Sequence, residues 1–237
     1  MNTSQLAPVA ADDSPRAGPA VLARTTVVAF ALAGVLFALY PMIRPFSDEG
    51  TPEGAAAFAS SSWVIAHTLA MAAFALLGAG LLGLHLRLRT TSASRSSLTG
   101  VVLGWIGVQL TLPFYGAETF ALRAIGQESL TQGDAALLTI TDSVRLGPGL
   151  AFIVVGLLLL AFGGILFAIA IWRSETLPRW SGVPLAAGLL LYLPQFETPE
   201  PVRIAHGVLV MLGCLLLARA LAAPAEAAQG FTHVGAS

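Results

Sequence analysis

GLAFIVVGLLLLAFGGILFAIAIW, residues 149–172, decides the fold, because the run contains no Asp, Glu, Arg, Lys or His. A helix needs about 20 apolar residues to cross roughly 30 Å of hydrocarbon, and this stretch exceeds that length. Working outward from it, five further apolar segments follow the same rule: 25–43, 61–86, 97–122, 180–196 and 202–221. The reading is therefore an all-α polytopic membrane bundle with six transmembrane helices over residues 21–222. Disordered cytoplasmic tails are expected at 1–20 and 223–237. The fifth segment is short and carries Pro184 and Pro194, which predicts a kinked or re-entrant piece rather than a straight crossing.

Composition agrees with the segment reading. Of 237 residues 56% are hydrophobic and 11% charged, and the mean hydropathy is +0.79, whereas soluble domains carry about 25% charged residues. A soluble globular domain is excluded. Disorder over the whole chain is excluded too, since it needs low hydrophobicity and a large net charge, and the formal charge here is -1. All 12 basic residues are Arg, without the basic stripe that tracks a phosphate backbone, so no nucleic-acid partner is expected. Cys214 is the single cysteine and cannot by itself form an intramolecular disulfide or a Cys-based metal site.

Arg placement orients the threading, because positively charged connections stay cytoplasmic. With the N-terminus inside, eight of the 12 Arg fall on the inner side, and only Arg44, Arg123, Arg145 and Arg203 lie outside. Most acids, Glu118 among them, fall outside. A multi-pass protein of the cell membrane with both termini cytoplasmic is expected. Two outer connections carry helix-start chemistry. Thr51-Pro52-Glu53 offers a cap, a Pro for the first helical position and an acid in the first turn. Asp134 can cap a short helix through Val144, ended by Gly147-Pro148-Gly149.

Some motifs carry no chemistry. Residues 78–83 match GxGxxG but lie inside a membrane helix, where small residues permit close helix packing instead of holding pyrophosphate. Gly100 and Gly104 form a GxxxG spacing with the same packing meaning, and a homo-oligomer through such faces is a possible partner state. Metalloprotease, nucleophile-elbow and Walker motifs are absent from the sequence.

The informative residues are polar ones at membrane depth, where a charge is costly and survives mainly when paired or useful. His67 and His206 each sit about one to two turns below the outer boundary of their segments. Glu118 lies at comparable depth on the third segment, with Thr111 and Tyr115 on its face. Trp63, His67, Met71, Phe74, Gly78, Leu81 and His85 form one stripe of the second segment. Arg145 and Arg203 flank helix N-termini, where the macrodipole opposes a cation, so an anionic partner is expected: Glu118, Glu197, Asp142 or a ligand.

Each residue has a plainer reading as an interfacial His, a structural ion pair or a snorkelling Arg. Their convergence in one leaflet favours function. The leading expectation is a membrane enzyme acting on a lipid-like or isoprenoid, hydrophobic small-molecule substrate, an isomerase or cyclase by acid-base chemistry. Its candidate catalytic residues are Glu118 as acid, His67 and His206 as base or ligands, and Tyr115. Arg145, Arg203 and Trp63 are the candidate substrate-binding residues. No cofactor or metal is required, and the alternative is a haem b held by His67 and His206 for electron transfer. The third reading is a non-catalytic scaffold or small transporter, for which inverted repeats would show matching broken helices in both halves.

Overall fold

The computed structural model describes residues 18–223, which fold into helices without a strand among them. Of the expected tails at 1–20 and 223–237, residues 1–17 and 224–237 lie outside the described residues, and α1 already begins at Pro19. In chain order the α-helices are α1 (Pro19–Ile43), α2 (Pro52–Ala59), α3 (Ser61–Leu88), α4 (Ser94–Gln132), α5 (Ile140–Arg145), α6 (Pro148–Ser174), α7 (Val183–Leu190) and α8 (Glu200–Ala222). Tight 3-10 turns occupy Ala135–Thr139 and Pro194–Glu197. Five of these helices, α1, α3, α4, α6 and α8, are long and apolar enough to cross a membrane.

Local chemistry sets the boundaries. Pro19 starts α1, and the Ile43-Arg44-Pro45 sequence stops it, because a residue before Pro avoids helical geometry. The Thr51 hydroxyl accepts from Gly54 N–H at 3.3 Å and opens α2. Ser60 then breaks the chain and accepts from Trp63 N–H at 3.1 Å, so α2 and α3 are separate helices. The Asp134 carboxylate accepts from Ala136 N–H at 2.9 Å, as its capping position predicts. Gly147, at φ 69°, swings the chain from α5 into α6, a conformation that favours glycine.

Successive long helices run antiparallel. Phe37 meets Phe74 and Tyr40 meets His67, so α3 descends beside α1. Trp63 bonds the Glu118 carbonyl while His85 meets Ser97, which fixes α3 against α4 at both ends. A Cβ on Gly107 would lie 2.6 Å from the Gly156 carbonyl, and one on Gly163 would lie 2.8 Å from that of Gly100. The backbones of α4 and α6 thus touch, as small residues permit between membrane helices. Gly34 against Met211 and Gly207 against Phe37 bring α8 antiparallel to α1, so residues 18 and 223 lie at one end of the bundle. Gly78, Gly80, Gly83, Gly100 and Gly104 all face neighbours within the chain, so these small-residue faces are not free for a second copy.

Two sequence expectations change. Segment 180–196 is not one helix. It forms turns, then α7 of 8 residues, then the 3-10 turn, and α7 spans only about 12 Å. Pro184 sits in the first turn of α7, where its missing N–H costs nothing, and Pro194 begins the 3-10 turn. α7 still runs from beside Ile171 up to Val210, antiparallel to both α6 and α8. The third segment continues beyond Leu122, since α4 has 39 residues and reaches about 58 Å.

That extension supports a small cap. Ala55 and Phe58 of α2, Trp63, Leu122 and Leu138 form a second apolar cluster apart from the main core. Many apolar side chains on the long helices, including Leu32, Phe120 and Phe162, are exposed outward, a pattern compatible with lipid contact.

Candidate functional site

Beneath the cap, at the end opposite the two termini, a cavity of about 760 Å³ opens between α1, α3, α4, α6 and the segment before α8. Its volume is in the range that holds a drug-sized ligand. Phe114, Leu150, Ile153, Val154 and Leu193 make apolar walls, and His67, Tyr115, Glu118, Arg145 and Arg203 all reach its surface. Five of the seven residues singled out from sequence therefore meet in one place. Trp63 and His206 do not line it.

Helix periodicity carries Glu118 inward. Thr111, Tyr115 and Glu118 lie on one α4 face, and all three are buried. Arg145, the last residue of α5, reaches across to Glu118: Nε donates to Oε1 at 2.5 Å and a terminal nitrogen to Oε2 at 3.3 Å. This fork geometry suits a carboxylate. Arg145 also donates to Glu49, which in turn accepts from Arg44 at 2.8 Å. The Arg44 guanidinium lies 4.7 Å from the Phe46 ring centre and 4.9 Å from that of Trp63, within cation-π range. Arg44, Glu49, Arg145 and Glu118 thus alternate in sign along one connected chain.

Burial opposes charge on Arg145, but the facing Glu118 and Glu49 carboxylates outweigh it and hold the guanidinium above its ordinary range. Arg145 does lie just before the N-terminus of α6, as expected, but it also closes the short α5, and a cation belongs at a helix C-terminus.

His67 closes the inner end of the chain of charges. Its Nδ1 lies 2.8 Å from the Trp63 backbone oxygen, and a carbonyl only accepts, so Nδ1 carries a proton and donates. Its Nε2 faces Glu118 Oε2 at 3.6 Å. That separation is an ion-pair distance rather than a direct hydrogen bond, and the Nε2 edge is the part of the ring turned toward the carboxylate. The ring is fixed by Trp63 at 4.1 Å and Tyr40 at 5.4 Å between ring centres. Trp63 itself is buried, and its Nε1–H donates to the Glu118 backbone oxygen at 2.9 Å. It positions both members of the pair.

Arg203 finds no carboxylate within 4 Å among the described residues. Its partners are carbonyls: Nε donates to Thr198 at 2.9 Å, and a terminal nitrogen to Phe196. The anionic partner expected for it from Glu118, Glu197 or Asp142 is thus replaced by backbone oxygens.

His206 belongs elsewhere. Its Nε2 donates to the Gly188 carbonyl at 2.8 Å, and its ring packs on Tyr192 at 5.0 Å. Tyr192 shares a hydroxyl contact of 3.0 Å with Tyr115, and Phe74 packs on both rings. Bis-His ligation needs two imidazole nitrogens facing one open slot. Here the Nε2 of His206 is bonded to backbone, that of His67 faces Glu118, and aromatic rings fill the space between them. The donor set does not fit haem.

The sequence reading missed Arg44, Glu49 and Tyr40 as members of the site. One signal was available: a Cβ on Gly54 would lie 2.5 Å from the Asp48 carbonyl and 2.6 Å from Glu49 Cα. The glycine lets the 44–50 segment fold down over α2 and aim Glu49 inward. No family model, curated protein sequence or solved structure matches this chain.

Proposed function

We propose that the chain is an integral membrane enzyme that moves protons on a lipid-like substrate, in an isomerisation or cyclisation type of reaction. One observation carries this reading: a cavity with greasy walls ends at a buried His-carboxylate pair, His67 Nε2 facing Glu118 Oε2 at 3.6 Å. Such chemistry needs a proton donor, a base and a water-poor mould.

The roles differ from the first assignment. Glu118 is occupied by Arg145, which leaves His67 to hand a proton from Nε2 to the substrate, while Glu118 stabilises the imidazolium and orients the ring. Tyr115, at the same wall, hydrogen-bonds a developing polar centre. His206 takes no part. Six crossings with cytoplasmic termini complete the proposal, with residues 175–199 returning through the bundle by way of α7. The Arg distribution then places the cavity in the outer half of the bilayer.

Solvent deuterium tests the reading without a known substrate. Protein in nanodiscs is incubated in D2O with a total membrane lipid extract, and the lipids are analysed by mass spectrometry. A lipid that gains deuterium on carbon with the native protein and not with His67→Gln supports the proposal. Lipids indistinguishable from a heat-inactivated control refute it.

A further inference from the structure

Arg145 was expected to share an anionic head group with Arg203, but it is already engaged by Glu118 and Glu49, and Arg44 is engaged by Glu49. Arg203 alone presents a cavity-lining guanidinium with no carboxylate partner among the described residues. A guanidinium has five N–H donors, and two of these reach carbonyls. The remaining donors are free for an oxyanion, and the Phe46 ring at 5.6 Å backs the group. The cavity also contains Glu197, an exposed carboxylate that attracts Arg203 through space without a contact within 4 Å.

The walls indicate how such a ligand arrives. α7 contacts α6 low in the bundle, at Gly164 and Ile171. Above that level, α6 and the Leu193–Glu197 stretch diverge, and the cavity fills the gap. Leu146 and Leu150 line the cavity and are 53% and 46% exposed, so the wall at the start of α6 is open.

From these observations we infer that the cavity takes a single-chain amphiphile with an oxyanion head, carboxylate or phosphate, admitted where Leu146 and Leu150 open its wall. Arg203 anchors the head, and Phe114, Leu150, Ile153 and Val154 hold the chain. The inference rests on the lipid-like substrate proposed above and extends it to a class. It concerns binding only, so it stands or falls separately from the proton chemistry.

The test is photolabelling of the full chain in phosphatidylcholine nanodiscs. The probes are a diazirine-bearing sixteen-carbon fatty acid and its alcohol counterpart, with sites read by mass spectrometry. The acid should label Phe114, Leu150 or Val154 about tenfold more than the alcohol, the size of one charge-assisted hydrogen bond. Arg203→Gln should remove that preference while Arg203→Lys keeps part of it, and thermal melting reports whether each variant folds. Val154→Trp, which fills the chain wall and leaves Arg203 intact, should lower labelling by both probes. Inorganic phosphate or acetate should not compete, and competition by either at millimolar levels would assign the site to a free anion and overturn the amphiphile. Equal labelling by acid and alcohol, or labelling spread over outward residues such as Leu32 and Phe162, also overturns it. A native protein that labels yet exchanges no deuterium would sink the enzyme reading alone.

Discussion

Replacing Arg145 with Gln isolates the energetics of the charge chain. Glu118 has a side chain 9% exposed and Arg145 one 23% exposed, so the pair is largely withdrawn from water. Removing one member of a buried pair costs about 3–5 kcal/mol, and here the Glu118 carboxylate would stay desolvated with only His67 beside it. The partly open rim favours the lower figure, about 3 kcal/mol. At roughly 2–4 °C per kcal/mol for a chain of this size, melting should fall by about 6–12 °C. Glu118→Gln should cost less, about 1–2 kcal/mol, since Arg145 keeps Glu49. Combining the two should recover part of the Arg145→Gln loss, because two amides can face each other without a stranded charge. Melting in a neutral detergent, followed by intrinsic fluorescence, reads all three variants and closes the cycle. A shift of Arg145→Gln below about 0.5 kcal/mol, or a double variant worse than either single one, would refute the reasoning.

Further expectations follow from individual contacts. Gly107→Ala should destabilise by about 1–3 kcal/mol, since its Cβ meets the backbone of α6. By contrast Gly116→Ala, with nothing within 4 Å of its Cβ, should raise melting slightly, by up to about 1 kcal/mol of helix propensity. Both shifts are read in the same melting assay. Gly54→Ala should lift the 44–50 segment and speed hydrogen exchange of its amides, while leaving exchange in α8 unchanged. Trp63→Phe should lose the indole bond to Glu118 and cost about 1 kcal/mol, with deuterium transfer reduced because the His67 ring loses its neighbour.

The long helices were legible because hydrocarbon imposes a length and a composition, and residues 149–172 meet both. His67 and Glu118 were legible at one depth for a related reason, since the rise per residue fixes depth, but their facing each other was not read. The rotation of α8 was not legible. Arg203 and His206 are three residues apart, yet the first reaches the main cavity and the second turns to the Gly188 carbonyl, a difference set by packing against α1 and α7. Glu49 was hidden for another reason. A charge between Pro45 and Pro52 counts only as loop composition until Gly54 is seen to let that loop fold inward. The extension of α4 past Leu122 was missed because polar residues such as Arg123 and Glu128 end the apolar pattern without ending the helix.

Nitrogen-15 NMR of histidine-labelled protein in nanodiscs tests the pairing of His67 with Glu118 most directly. The His67 ring, identified by its loss in His67→Gln, should show Nδ1 protonated and an Nε2 signal that moves when Glu118 becomes Gln. An Nε2 signal of an ordinary, freely titrating imidazole, unmoved by that change, would contradict the account.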